Sequence, residues 1–169
     1  YLGGKAFGAR AFAANFDEAS LARAVVYCHL HGVRLYVTVN TLVYERELST
    51  WLDFCRSLYK MGVDALIVTY LGGISLLRKH LPDMELHAST QMGIHNSEGV
   101  AMAASMGLSR AVVARECSLA DMRTMVENAP LELEVFLHGA LCVSHSGQCL
   151  FSSLVGGRSG NRGECAQPC

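Results

Sequence analysis

Two rhythms of apolar residues alternate along this chain. Between Glu18 and His31 they fall at Leu21, Val25 and Cys28, the spacing of one helix face, and Gly32 stands where such a helix would stop. Asn15 or Asp17 can cap it, because either side chain accepts the first unpaired backbone N–H groups. Residues 33–39 are β-branched and aromatic, which predicts a strand ending at Asn40. The unit then repeats. A helix over 48–61 closes on Gly62, and a strand follows over 65–69. Gly72 and Gly73 open a helix over about 74–80, Pro82 breaks it, and 85–88 is a short strand. A helix over 97–106 backs onto Gly107, and a strand covers 110–114. The next helix, 118–127, starts on Ser118 with Asp121 in the place of a capping-box acid, and the last strand is 131–137. Residues 2–16, glycine-rich and then alanine-rich, read as a loop leaving a strand further upstream.

Five strands alternating with helices imply βαβ units on a parallel sheet. The expected class is α/β, a partial (β/α) TIM-like barrel. A complete barrel has eight strands and about 250 residues, so 169 residues imply a fragment lacking the first strand and the closing end. The barrel would occupy 1–138, with a cysteine-rich segment of the same domain over 139–169.

Composition narrows the class without naming the chemistry. A hydrophobic content of 51% against 17% charged residues indicates a globular chain. No apolar run reaches the roughly 18–20 residues that span a bilayer, and the opening residues lack the basic-then-apolar order of a secretory signal. The seven cysteines are odd in number, and Cys28, Cys55 and Cys117 sit in apolar or helical contexts, which suits a reducing cytoplasm better than a disulfide scaffold. A net charge of −1 offers no overall attraction to nucleic acid, so any RNA contact requires a local patch.

Barrel enzymes carry their active groups where strands end. Those positions here hold Asn40, Thr69 and Tyr70, His87, Ser89 and Gln91, Arg115 and Glu116, and Glu134 and His138. Ser89, Thr69 and Thr41 suit capping or loop roles. Asn40, His87, Gln91, Arg115 and Glu116 are harder to explain without a ligand, because bulky polar groups gathered at one end are costly to desolvate. Alternation can turn Glu134 into the barrel with Phe136 and His138, where a desolvated carboxylate suits acid–base work; outward exposure or pairing with an arginine is the other reading. His29, His31, His80 and His95 lie on or near helices and read as solvated or core-edge histidines. The chain has no H-E-x-x-H and no G-x-S-x-G motif. Ser144–His145–Ser146 are adjacent, which seldom aligns a nucleophile with its base.

The tail is the most distinctive stretch. Cys142, Cys149, Cys165 and Cys169 are spaced C-x6-C-x15-C-x3-C among Gly, Ser, Arg and Asn. Thiolates on a glycine-rich loop suit a soft metal centre. The spacing matches none of the short zinc patterns, which favours an iron–sulfur cluster over zinc, while incidental or disulfide-bonded cysteines stay open as a reading.

The run E-V-F-L-H-G-A-L-C-x6-C-L-x-S-S, followed by R-S-G-N-R-G-E-C-A-Q-P-C, resembles the signature of the collagenase-like peptidase family, whose catalytic type is unassigned. Y-L-G-G-K-x-F-G-A-R-A at the start, V-T-V-N-T-L at 37–42, H-A-S-T-Q at 87–91 and A-R-E at 114–116 extend the likeness over nearly the whole chain. The resemblance implies either a peptidase or an iron–sulfur protein that hydroxylates RNA bases or quinone precursors without molecular oxygen. The N-R-G-E-C-A-Q-P-C ending is most similar to the ribosomal-RNA branch. A 4Fe-4S cluster would then be held by Cys142, Cys149, Cys165 and a fourth cysteine further along the chain, with Cys169 as a packing thiol. Prephenate or a related dicarboxylate would be the co-substrate, meeting Arg115 or Arg10, and ribosomal or transfer RNA the partner. A peptidase acting on unfolded chains and a structural zinc module are the rival readings.

Overall fold

The computed structural model describes residues 1–169. Its frame is a six-stranded sheet, every neighbouring pair parallel, with the strands side by side in chain order. The strands are β1 (Leu2–Gly3), β2 (Tyr36–Thr38), β3 (Ala65–Val68), β4 (Glu85–Ala88), β5 (Arg110–Val112) and β6 (Glu132–Glu134). Between them run α1 (Glu18–Leu30), α2 (Leu48–Met61), α3 (Leu71–His80), α4 (Ser97–Ser105) and α5 (Leu119–Glu127); α6 (Phe151–Gly156) lies in the tail. β1 and β6 do not pair with each other, so the architecture is an incomplete (β/α) barrel.

Two expectations need correcting. Leu2–Gly3 is not loop but strand, paired in register with Val37 and Thr38. Two residues, one of them glycine, are too few to show a period, so only the partner strand reveals them. β2 and β6 are also shorter than β-branched composition suggests. Val33 is exposed ahead of β2, and Leu137 is exposed well past β6, because the ladder stops where the neighbouring strand stops. All five interstrand helices lie where expected, within three residues at either end.

Register divides the sheet into two faces. Val37, Leu66, Val68, Leu86, Ala88 and Ala111 face the helices and join Leu21, Trp51, Leu58, Ile74, Leu77, Val100 and Met125 in the main apolar core. The opposite face carries Tyr36, Glu85, His87, Arg110, Glu132 and Glu134, a polar lining with buried Ala65 and Ile67 among it.

Helix ends follow local chemistry. Asp17 caps α1 through Ser20 N–H at 2.8 Å, and Asn96 caps α4 through Gly99 N–H at 2.9 Å. Ser118 and Asp121 form a reciprocal capping box on α5, each side chain accepting the other residue's N–H at 3.2 Å. Ser118→Ala should cost about 1 kcal/mol, read as a lower urea midpoint with an unchanged slope.

Candidate functional site

The loops that leave the C-terminal ends of the strands form one rim, and the tail folds across it. Asn40, just past β2, ties the rim together. Its Oδ1 accepts Ala9 N–H at 3.0 Å, its Nδ2 donates to Ser89 Oγ at 2.9 Å, and its carbonyl accepts the Thr69 hydroxyl at 3.1 Å. Ser89 in turn accepts Gln91 N–H at 3.2 Å. Asn40 thus joins the loops after β1, β2, β3 and β4, with both polar atoms of its side chain engaged.

His87 lies deeper than its expected rim position. It sits inside β4, fully buried, with its ring edge-on to Tyr36 at 4.7 Å. Nε2 meets Glu85 Oε1 at 3.0 Å, toward the start of the strand, while Nδ1 has no partner. Burial lowers the His87 pKa against the pull of Glu85, so at neutral pH the ring is uncharged and donates through Nε2. The inward position follows from strand alternation, which puts 85, 87 and 89 on one face. Glu134 also turns inward, and there it pairs with Arg110 at 3.4 Å, beside Glu132 at 2.6 Å. Arg110 is further held over the Tyr36 ring at 5.2 Å. That pairing matches the arginine-bound reading of Glu134. His138 is exposed in the loop after β6 and belongs to neither network.

Arg115 and Glu116, just past β5, grip the tail. Ser146 is fully buried between them. Its hydroxyl donates to Glu116 Oε2 at 2.8 Å and accepts both Arg115 N–H and Arg115 Nε–H at 3.2 Å. Ser146 N–H donates to Glu116 Oε1 at 2.9 Å, and Arg115 Nη2 reaches Ser144 O at 3.1 Å. Burial alone would raise the Glu116 pKa; the hydrogen bonds from Ser146 N–H, His95 and the Ser146 hydroxyl outweigh it and hold the carboxyl far below the usual range. Gly147 packs so closely on Gln91 that a Cβ would stand 2.0 Å from the Gln91 carbonyl oxygen, and its φ is +73°. Further along, Gly163 O accepts Ala11 N–H at 2.9 Å and Asn161 O accepts Leu42 N–H at 3.2 Å. Arg162 closes a two-nitrogen bridge to Glu47 at 2.7 and 3.0 Å.

All seven cysteines are free. Burial pushes the Cys55 thiol far up, an inert core group. Cys149 differs: the Ser144 hydroxyl and then the Phe151 N–H lower its pKa, which favours thiolate. Cys165 Sγ accepts Gln167 N–H at 3.4 Å. Buried Ser152, in α6, accepts Ala166 N–H at 2.9 Å and so binds the Cys149 segment to the Cys165 segment. α6 itself lies in a stretch whose composition suggested only loop. Cys142 and Cys169 are exposed. The one group of three ligand atoms close enough to hold a single ion is instead His95, Glu116 and His145. His95 is therefore no mere core-edge histidine: its Nε2 meets Glu116 Oε1 at 2.8 Å. Ser146, His95 and His145 join Glu116 across 30, 21 and 29 residues, separations that no motif spacing encodes.

Fold and site together define an incomplete parallel β/α barrel whose C-terminal rim is covered by a thiol-rich tail. The chain belongs to Peptidase family U32, which it matches over residues 1–169. It is 41% identical, over its whole length, to a 23S rRNA 5-hydroxycytidine synthase of Escherichia coli, of which it covers 25%. To a tRNA hydroxylation protein of Bacillus subtilis it is 34% identical over its whole length, covering 40% of that protein. A collagenase of Porphyromonas gingivalis is 30% identical, with 43% of its length covered. The chain therefore spans less than half of each of these relatives. A solved U32 peptidase superposes with a TM-score of 0.63 over 79% of this chain and 58% of its own, at 14% identity, a likeness of fold.

Proposed function

We propose that this chain is the rim-and-tail part of an enzyme that hydroxylates bases in ribosomal or transfer RNA. The carrying observation is the docking of a thiol-bearing loop directly onto the polar rim, in a chain most of whose similarity is to RNA-hydroxylation proteins. The higher identity to the ribosomal-RNA enzyme favours ribosomal RNA as substrate.

The donor chemistry of the tail fits a 4Fe-4S cluster. Sulfur ligands with backbone N–H groups aimed at them, as at Cys149 and Cys165, are what such clusters use. Each thiolate of a cluster binds a different iron, so its sulfurs stand further apart than the ligands of one ion, and a tight thiol knot is not required. Cys142, Cys149 and Cys165 would hold it, with a fourth cysteine from elsewhere in the whole protein. Bound there, a cluster supplies one-electron chemistry. Arg115 holds the loop, so Arg10, exposed on the rim and free of any ion pair, is the better group to receive a dicarboxylate such as prephenate.

RNA contacts come from the rim as well. Exposed Phe12 lies under Arg158 at 4.5 Å, and exposed Tyr44 has Arg46 at 4.9 Å and Arg162 at 4.6 Å from its ring centre. Aromatic rings paired with guanidinium groups are stacking platforms for unpaired bases. Stacking contributes about 1–3 kcal/mol per base, so Phe12→Ala should lower the efficiency of RNA modification about fivefold or more. Its urea midpoint should stay that of the parent chain. A peptidase has weaker support: Ser146 is buried and its hydroxyl is bonded to Glu116 and Arg115, which does not leave it a free nucleophile.

The test is nucleoside mass spectrometry of ribosomal and transfer RNA from a host lacking the gene, with and without the full-length protein. Restoration of a hydroxylated pyrimidine is expected. Unchanged RNA, with peptide cleavage by the same protein, would transfer the assignment to proteolysis.

A further inference from the structure

We propose that His95, Glu116 and His145 form a binding site for one divalent transition-metal ion, separate from the tail thiols, that clips the thiol loop to the barrel rim. The three residues come from three loops: the one between β4 and α4, the one between β5 and α5, and the tail. Glu116 Oε1 lies 2.8 Å from His95 Nε2 and 3.3 Å from His145 Nδ1, and all three atoms fall within 4.8 Å of one another. With metal–ligand bonds of about 2.0–2.1 Å, two ligands at right or tetrahedral angles stand about 2.8–3.4 Å apart. Both separations from the carboxylate oxygen fit those edges.

His95 Nδ1 is bonded to Gly93 O, a carbonyl that can only accept, so Nδ1 carries the proton. In the neutral ring Nε2 then presents a lone pair to a carboxylate oxygen, a repulsive contact that either a proton on Nε2 or a metal ion bound by both atoms relieves. Oε1 already accepts Ser146 N–H, yet two ring nitrogens converge on it as well. An ion bound by Oε1 and both ring nitrogens gives each nitrogen a partner and leaves the Ser146 N–H bond in place. The outer partners are those of a metal site: Gly93 O fixes the His95 tautomer, and Ser146 orients the carboxylate through both its oxygens. Two imidazoles and one carboxylate suit zinc, iron(II) or manganese(II) better than magnesium or calcium. His145 is 80% exposed, so the remaining coordination positions open to solvent.

Cobalt(II) titration of the full-length protein tests this. The expected result is one cobalt with weak visible d–d bands and no intense sulfur charge-transfer absorption. His145→Ala, at an exposed position, should keep the parent urea midpoint while weakening that cobalt at least tenfold, and His95→Gln should weaken it similarly. Parent-like cobalt affinity in His145→Ala would overturn the site, as would cobalt that shows only thiolate charge transfer. His95 would then be a protonated partner of Glu116 and no more.

Discussion

Replacing Gly147 by alanine should release the thiol loop from the barrel rim. The new Cβ would lie 2.0 Å from the Gln91 carbonyl oxygen, and that atom is backbone, unable to swing aside. Its φ of +73° adds a left-handed penalty of about 1–2 kcal/mol for any residue with a Cβ. The loop is tethered to the rim by a small set of hydrogen bonds, so relief comes by undocking and not by rebuilding the barrel. Limited proteolysis should cut within 139–169 far faster than in the parent chain, leaving the barrel intact, and RNA modification should fall to background. A parent-like digestion pattern would mean that Gly147 is not held against Gln91.

Glu116→Ala should have the second-largest effect, and it carries a pH signature. The carboxylate accepts Ser146 N–H and the Ser146 hydroxyl, and its removal leaves both donors of a fully buried serine without partners. Hydrogen bonds to a charged group contribute about 1.5–3 kcal/mol each, so docking should weaken by about 3 kcal/mol, more than a hundredfold. The folded-state carboxyl lies below its ordinary value of 4.5. Its contribution is therefore complete above that value and fades as pH falls below it. In the parent chain, tail protection from an acid-active protease should decline on acidification below 4.5. In Glu116→Ala the protection should be low already at neutral pH and show no such decline. Parent-like protection in the variant at neutral pH would show that Arg115 and the glycine contacts suffice.

The sequence and the fold spoke to different scales. The helix over 48–61, its left-handed Gly62 and the Ser118 capping box were legible because their causes lie within a few residues. β1 was not, since two residues carry no period and its evidence is the partner strand. α6 was hidden by serine and glycine, and tertiary anchoring through Ser152 and Ala166 supports it instead. Among candidate site residues, Asn40, Gln91, Arg115 and Glu116 were readable as strand-end polar groups, and the structure places them on one rim. Their work there is largely to hold loops and tail, a role the chain order could not disclose. His87 was displaced inward by one alternation step. Ser146, His95 and His145 depend on loops meeting across the barrel end, and nothing local marks them.

The tail as the holder of an iron–sulfur cluster is tested most directly by the iron and acid-labile sulfide content of the full-length protein purified without oxygen. The expected result is about four of each per chain, as a 4Fe-4S cluster requires. Both should be lost when Cys142, Cys149 or Cys165 is changed to serine and retained when Cys169 is. A colourless protein carrying zinc on those thiols, with no sulfide, would contradict it.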